Sequence, residues 1–200
     1  MRATIFDYGA GNIHSLAKAV EAAGTTVVIE PDPVLAIHTD VLVLPGVGAF
    51  GAAAERLAPG RDAMRAALDA GLPCLGICLG MQLLLEGSDE NAPNAGGLGV
   101  IAGQVTRLRG HRVPQIGWNS IDGGADPLLD DAPLAYAYYA NSYVCRPADD
   151  SVVRAWSTHD DDRFAAVVRT GNTVGVQFHP EKSSAPGLRF LRAFFAGAAR

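Results

Sequence analysis

Long apolar runs, long runs of Lys or Arg and a surplus of cysteine are all missing from this 200-residue chain. Its longest apolar stretches fall far short of the roughly 20 residues that a membrane-spanning helix needs. Charged residues make up 18% of the chain and sum to −5 without any run of Lys or Arg, which argues against a nucleic-acid or anionic-membrane surface. A small-molecule ligand is expected instead. Three cysteines, Cys74, Cys78 and Cys145, cannot all pair. Cys74 and Cys78 are separated by Leu75-Gly76-Ile77 with no second Cys or His pair nearby, so neither a zinc site nor any other metal or cofactor is expected. Met1 to Asp7 runs straight into a strand-like segment without a charged leader or cleavage site, and the expected location is cytoplasmic.

What is present is apolar content of 48% and 23 glycines, the texture of an α/β protein with many tight strand-to-helix turns. The length suits one domain over residues 1–200. Strand and helix patterns alternate through the first half: Ala3 to Asp7, Ser15 to Ala23, Thr26 to Glu30, Val41 to Leu44, then helical stretches at Ala52 to Leu57 and Arg61 to Ala70. The strand Pro73 to Ile77 follows, then a helical run from Leu79 to Glu86. Such alternation predicts a central, mostly parallel sheet flanked by helices, with its centre early in the sequence. Short continuous apolar strands such as Val41 to Leu44 suit a sheet buried on both faces. The second half turns to Gly, Asn, Pro and Asp, with β-like pieces at Val100 to Leu108, Ala135 to Val144, Ser151 to Ser157, Phe164 to Arg169 and Val174 to Phe178. These read as an antiparallel extension of the sheet. Leu188, Leu191 and Phe195 at helical spacing predict a closing helix from Ala185 to Ala199.

Chemistry concentrates where the strand Pro73 to Ile77 meets the next helix, in Gly76-Ile77-Cys78-Leu79-Gly80. That pattern has the form of a nucleophile elbow. The nucleophile sits on a sharp turn, and the residues two before and two after it must be small because strand and helix backbones nearly touch. A thiol at a helix N-terminus also feels the positive end of the macrodipole, which favours the thiolate. Cys78 is therefore the candidate nucleophile. Read alone, the same pattern also fits a buried small side chain between packing glycines, which is how Cys74 is read.

A thiol nucleophile needs a base. His179 directly follows the β-rich Val174 to Phe178, at a strand end where catalytic groups of α/β sheets gather. If the extended backbone continues through Pro180, His179 and Glu181 face the same side, and the carboxylate can hold the imidazole in the tautomer that accepts the thiol proton. His14, His38, His111 and His159 stand in polar or turn-like contexts and are read as surface or loop residues. Donors for a tetrahedral oxyanion are expected from Gly46, Val47 and Gly48 after the strand Val41 to Leu44, together with the N–H of Leu79. Gly9-Ala10-Gly11-Asn12 lacks the third glycine of a dinucleotide loop and reads as a tight β-to-α turn.

Taken together, Asp7-Tyr8-Gly9-Ala10-Gly11-Asn12, Pro45-Gly46-Val47-Gly48-Ala49-Phe50, Gly76 to Gln82, Gly117-Trp118-Asn119 and Gln177 to Ser183 resemble the motifs of class I glutamine amidotransferases, in the same order and nearly end to end. The resemblance implies a flavodoxin-like α/β sandwich and hydrolysis of L-glutamine through a glutamyl thioester on Cys78, with His179 and Glu181 completing a triad. It further implies that Gln82, Asn141, Ser142 and Tyr143 line the glutamine pocket and that Gly46 to Gly48 form a mobile oxyanion strand. Asn12, Trp118 and Lys182 would face a partner, a (β/α)8-barrel cyclase that receives the ammonia in a heterodimer. The chain departs from the family in two places: Gln115 stands where a histidine often follows Pro114, and Ala140-Asn141 where Val-His often precedes Ser-Tyr. An amidotransferase serving a different synthase, a non-catalytic binding protein of this fold and a cysteine peptidase of related fold remain as alternatives at this point.

Overall fold

The computed structural model describes residues 1–9, 12–90 and 95–199. The strands are β1 (Arg2–Phe6), β2 (Thr26–Glu30), β3 (Val41–Leu44), β4 (Cys74–Ile77), β5 (Gly87–Ser88), β6 (Gly103–Arg107), β7 (Gln115–Ser120), β8 (Tyr136–Asn141), β9 (Tyr143–Pro147), β10 (Val153–His159), β11 (Asp162–Thr170) and β12 (Thr173–Val176). The α-helices are α1 (Ile13–Ala22), α2 (Pro33–Ala36), α3 (Phe50–Leu57), α4 (Arg61–Asp69), α5 (Leu79–Gln82), α6 (Pro127–Asp131) and α7 (Ser184–Ala198).

Seven strands form the main sheet in the order β10-β11-β12-β4-β3-β1-β2. The five strands from β12 to β2 run parallel, and β11 and β10 add to them antiparallel, as the alternation in the first half and the β-rich second half predict. Alternate residues of β3 feed separate cores. Val41 and Val43 pack on the face covered by α1 and α7, while Leu42 and Leu44 join the residues of α3 and α4 on the other. All four are fully buried, each contributing roughly 1.5–3 kcal/mol to folding. Helix α7 closes the first face with Phe190, Leu191, Phe194 and Phe195, while Leu188 is only partly buried.

Two smaller sheets complete the second half, β5-β6-β9 and the pair β7-β8. The expected strand Ala135 to Val144 is two strands broken at Ser142, and β7 had no counterpart in the sequence reading. Its Gln115-Ile116-Gly117-Trp118 carries a glycine and two exposed apolar side chains, so no buried alternation advertises it.

The expected helix from Leu79 to Glu86 is corrected to the four residues of α5. The backbone beyond it is engaged elsewhere: Leu98 N donates to Leu83 O at 2.7 Å, Ile101 N to Leu84 O at 3.0 Å and Gly99 N to Leu85 O at 3.1 Å. Glu86 N, which a helix would turn toward Gln82 O, donates instead to Gly103 O at 3.3 Å, and the carbonyls that would carry a helix past Glu86 are taken by the 97–101 segment. A Cβ on Gly97 would lie 2.1 Å from Leu85 O, so only glycine lets the two backbones meet this closely.

Candidate active site

Three adjacent parallel strands bring the predicted residues together. Strand β4 lies between β3 and β12, so the segments leaving their C-terminal ends converge at one edge of the sheet. Cys78 follows β4, Gly46 to Gly48 follow β3, and His179 follows β12. This is the place where open α/β sheets collect their ligands and catalytic groups.

Cys78 has φ 47° and ψ −103°, a conformation that L-residues avoid, that costs of order 1–3 kcal/mol and that persists only where the surroundings enforce it. They do. Cys78 N donates to Val176 O at 2.7 Å and Cys78 O accepts from Gln82 N at 3.1 Å. A Cβ on Gly76 would lie 2.7 Å from Gly80 O, and one on Gly80 only 2.0 Å from Leu44 O. Both glycines are needed for the elbow to close, as the spacing implied. The macrodipole argument, by contrast, loses its basis: α5 is a single turn, too short to build much of a dipole. Whatever favours the thiolate must come from side chains around it.

His179 is fully buried, with its backbone N–H on Tyr138 O at 2.8 Å and its carbonyl accepting from Ser183 Oγ at 2.7 Å. The extended backbone expected through Pro180 does not persist, because Pro180–Lys182 form a 3-10 turn. The turn nonetheless sets His179 Nδ1 2.8 Å from Glu181 Oε1. Nε2, the other ring nitrogen, is buried without a bonded partner, and the Cys78 thiol acts on the same ring. Burial pulls the imidazole down. Interaction with Cys78, and then with Glu181, outweighs it and raises the pKa from 6.5 to about 10. Such a ring is a strong proton acceptor for a neighbouring thiol.

Gly46 packs directly on this ring, and Gly48, at φ 130°, lies against Leu79, where an added Cβ would come within 3.3 Å of Leu79 Cδ2. The two expected sources of oxyanion donors are therefore neighbours. Tyr8 had no assigned role in the sequence reading. Its buried hydroxyl donates to Pro45 O, at the start of the Gly46 to Gly48 segment. Burial, then the nearby charges of Cys78 and Asp7, keep that phenol protonated well above its ordinary range. Glu90, also unassigned, accepts from Phe50 N at 2.9 Å and ties down the far end of the same loop.

Among the expected glutamine-pocket residues, Gln82 Nε2 and Asn141 Nδ2 both donate to Tyr143 O, at 3.1 and 3.2 Å, so three of the four form one cluster, with Ser142 between β8 and β9. The two departures from the family pattern are partners as well, because Gln115 pairs with Asn141 in the β7-β8 register. Both are buried, and Gln115 Oε1 and Asn141 Oδ1 each lack a bonded donor. Of the expected partner-facing residues, Trp118 and Lys182 share Tyr138. The indole stands edge-on to its ring at 6.3 Å, and Lys182 Nζ lies 5.9 Å from the ring centroid. Asn12, exposed and left-handed at φ 61°, accepts from Ser15 Oγ at 2.7 Å. Ala10 and Gly11 of that motif lie outside the described residues. No helix among the described residues is long and apolar enough to cross a membrane.

An elbow-borne thiol beside a buried His–Glu pair, on a parallel α/β sheet, is the kind of arrangement from which sulfur can attack carbonyl carbon. The family model "Glutamine amidotransferase class-I" matches residues 4–198. The chain is 45% identical over 198 residues to the imidazole glycerol phosphate synthase subunit HisH of Halobacterium salinarum, covering 95% of this chain and 90% of that one. It is 44% identical to the HisH subunit of Thermus thermophilus, covering 96% of this chain and 95% of that one. Among solved structures, a glutamine amidotransferase superposes with TM-score 0.76 at 19% identity over 99% of both chains. The glutaminase domain of Trypanosoma brucei CTPS with bound acivicin does so with TM-score 0.70 at 16% identity, over 99% of this chain and 93% of that one, and both likenesses speak for the fold alone. The chain belongs to the class-I glutamine amidotransferases, an enzyme family, and within it to the branch of the HisH subunits.

Proposed function

We propose that this chain is the glutaminase subunit of an imidazole glycerol phosphate synthase in histidine biosynthesis, working as one domain that supplies ammonia to a (β/α)8-barrel cyclase. Cys78 is the nucleophile, His179 the base and Glu181 the group that orients the base. His179 takes the thiol proton, the sulfur attacks the side-chain amide carbon of L-glutamine, and the N–H groups of Gly46 to Gly48 and Leu79 receive the charge on oxygen. The proton then passes from His179 to the leaving nitrogen, and ammonia departs as the glutamyl thioester forms. Water, deprotonated by the same imidazole, cleaves the thioester to glutamate.

The observation that carries this reading is the Nδ1 to Oε1 contact of 2.8 Å on a fully buried ring whose other nitrogen is left for the thiol. Trp118, at 54% exposure, Ile116 at 68% and Tyr136 at 62% give the β7-β8 pair an apolar outer surface of the kind a partner subunit covers. There the cyclase would take ammonia before water protonates it, and make imidazole glycerol phosphate and an aminoimidazole carboxamide ribotide. Glutaminase activity is expected to be low without the cyclase, with the backbone of Gly46 to Gly48 poorly aimed until the cyclase binds its ligand.

The test is Cys78→Ala assembled with the cyclase. Glutamine-dependent synthesis should fall by several orders of magnitude, while synthesis fed by ammonium salt continues. An Ala variant that still uses glutamine would remove Cys78 from the mechanism.

A further inference from the structure

Gln177 is fully buried at the end of β12, where its backbone N–H donates to Ala166 O at 2.9 Å. Its side-chain Nε2 donates to Cys78 Sγ at 3.4 Å, an ordinary length for a bond to sulfur, across 99 residues of sequence. Its Oε1 is buried without a donor. A glutamine placed here for packing alone is a poor choice, since a methionine of similar size would fill the space without burying an amide whose acceptor goes unpaired. The arrangement is intelligible if the amide's partner that matters is the sulfur.

Resting on the reading that Cys78 is the nucleophile, we propose that Gln177 is a further catalytic residue, whose side-chain N–H stabilises negative charge on Sγ whenever the thiolate forms. Hydrogen bonds to a charged acceptor are about twice as strong as those to a neutral one. The bond therefore strengthens when the S–H proton moves to His179 and weakens when sulfur becomes the neutral thioester. It strengthens again during hydrolysis, as the water oxygen bonds to the acyl carbon, the C–S bond breaks and its electron pair returns to sulfur. One donor thus assists the attack and the departure of the same atom. It also supplies what α5 is too short to give, a fixed dipole aimed at the thiolate.

The test replaces the donor without emptying the space. In Gln177→Met, assembled with the cyclase, kcat for glutamine should fall on the order of 10- to 100-fold with KM little changed, the factor expected for one bond to a charged group. The rate of Cys78 alkylation by iodoacetamide should fall alongside it. Burial pushes the Cys74 and Cys145 thiols up, so alkylation at neutral pH reports Cys78. Should the Met variant fail to fold, the unmutated protein answers the same question: the Gln177 side-chain amide protons, followed by NMR, should shift as Cys78 is deprotonated. Wild-type alkylation and kcat in a folded Met variant, or amide signals indifferent to the state of sulfur, overturn the proposal. Cys78→Ala, run in parallel, separates the two ideas, because loss of glutamine use there beside a wild-type Met variant defeats only the role of Gln177.

Discussion

Gly46 and His179, 133 positions apart, are in such close contact that a methyl group on the glycine would sit 2.9 Å from the imidazole Cε1. The same methyl would meet Ile77 O at 3.0 Å, so neither neighbour offers room. Gly46→Ala is expected to displace the imidazole or the loop it packs on. Glutamine turnover should fall by about 100-fold, as it does when a reacting group is shifted by an ångström. Stability should fall by only about 1–3 kcal/mol. Steady-state kinetics beside a thermal melt check this, and turnover that fell only in step with stability would deny the contact a catalytic consequence.

Tyr8 holds the start of that segment through its bond to the Pro45 carbonyl. Tyr8→Phe keeps the ring, its edge-on packing with Phe6 at 5.6 Å and its burial, and removes only the donor. The carbonyl left unpaired should cost about 1–3 kcal/mol of stability. With Gly46 to Gly48 less firmly anchored, kcat should drop while KM for glutamine stays near its original value. Unchanged kcat in a folded Phe variant would mean that Pro45 is held well enough by the rest of the loop.

Much of this arrangement was legible in the sequence, and the reasons for the rest are physical. The elbow was visible because Gly76 and Gly80 answer a local steric demand, with contacts of 2.7 and 2.0 Å awaiting any Cβ there. Strand β3 was visible because a four-residue apolar run admits few other fates. The short α5 was hidden because Glu86 N pairs with the distant Gly103 O and the backbone beyond pairs with the 97–101 segment, which local periodicity cannot reveal. The meeting of His179 with Glu181 was anticipated through an extended backbone and is achieved through a 3-10 turn, since both geometries can bring residues two apart into contact. Tyr8, Glu90 and Gln177 went unassigned because each acts on a residue 37, 40 or 99 positions away.

Trp118 offers a test of the proposed partner. More than half exposed at 54%, it contributes little to the chain's own core, and Trp118→Ala should leave stability within about 0.5 kcal/mol. If the β7-β8 surface receives the cyclase, an aromatic side chain at its centre should account for about 2 kcal/mol or more of the association. Calorimetric titration of the two subunits measures this directly. Undiminished affinity would move the interface to another face.

The pH dependence of stability follows from His179. In the unfolded chain the imidazole titrates near 6.5, whereas in the folded protein Cys78 and Glu181 overcome the opposing effect of burial and raise it to about 10. The folded state therefore holds this proton more tightly. The resulting stabilisation is complete below pH 6.5 and is lost as the pH climbs toward about 10. Thermal melts of the wild type should decline over that interval relative to His179→Asn, which has no proton to lose. The comparison is cleanest below about pH 8.5, where free thiols begin to ionise in the unfolded chain. Above it Cys74 and Cys145, pushed up by burial, add an alkaline loss of the same sign in both proteins. A decline between pH 6.5 and 8.5 that persists in the Asn variant would assign the effect to another group and leave the imidazole's basicity without a stabilising role.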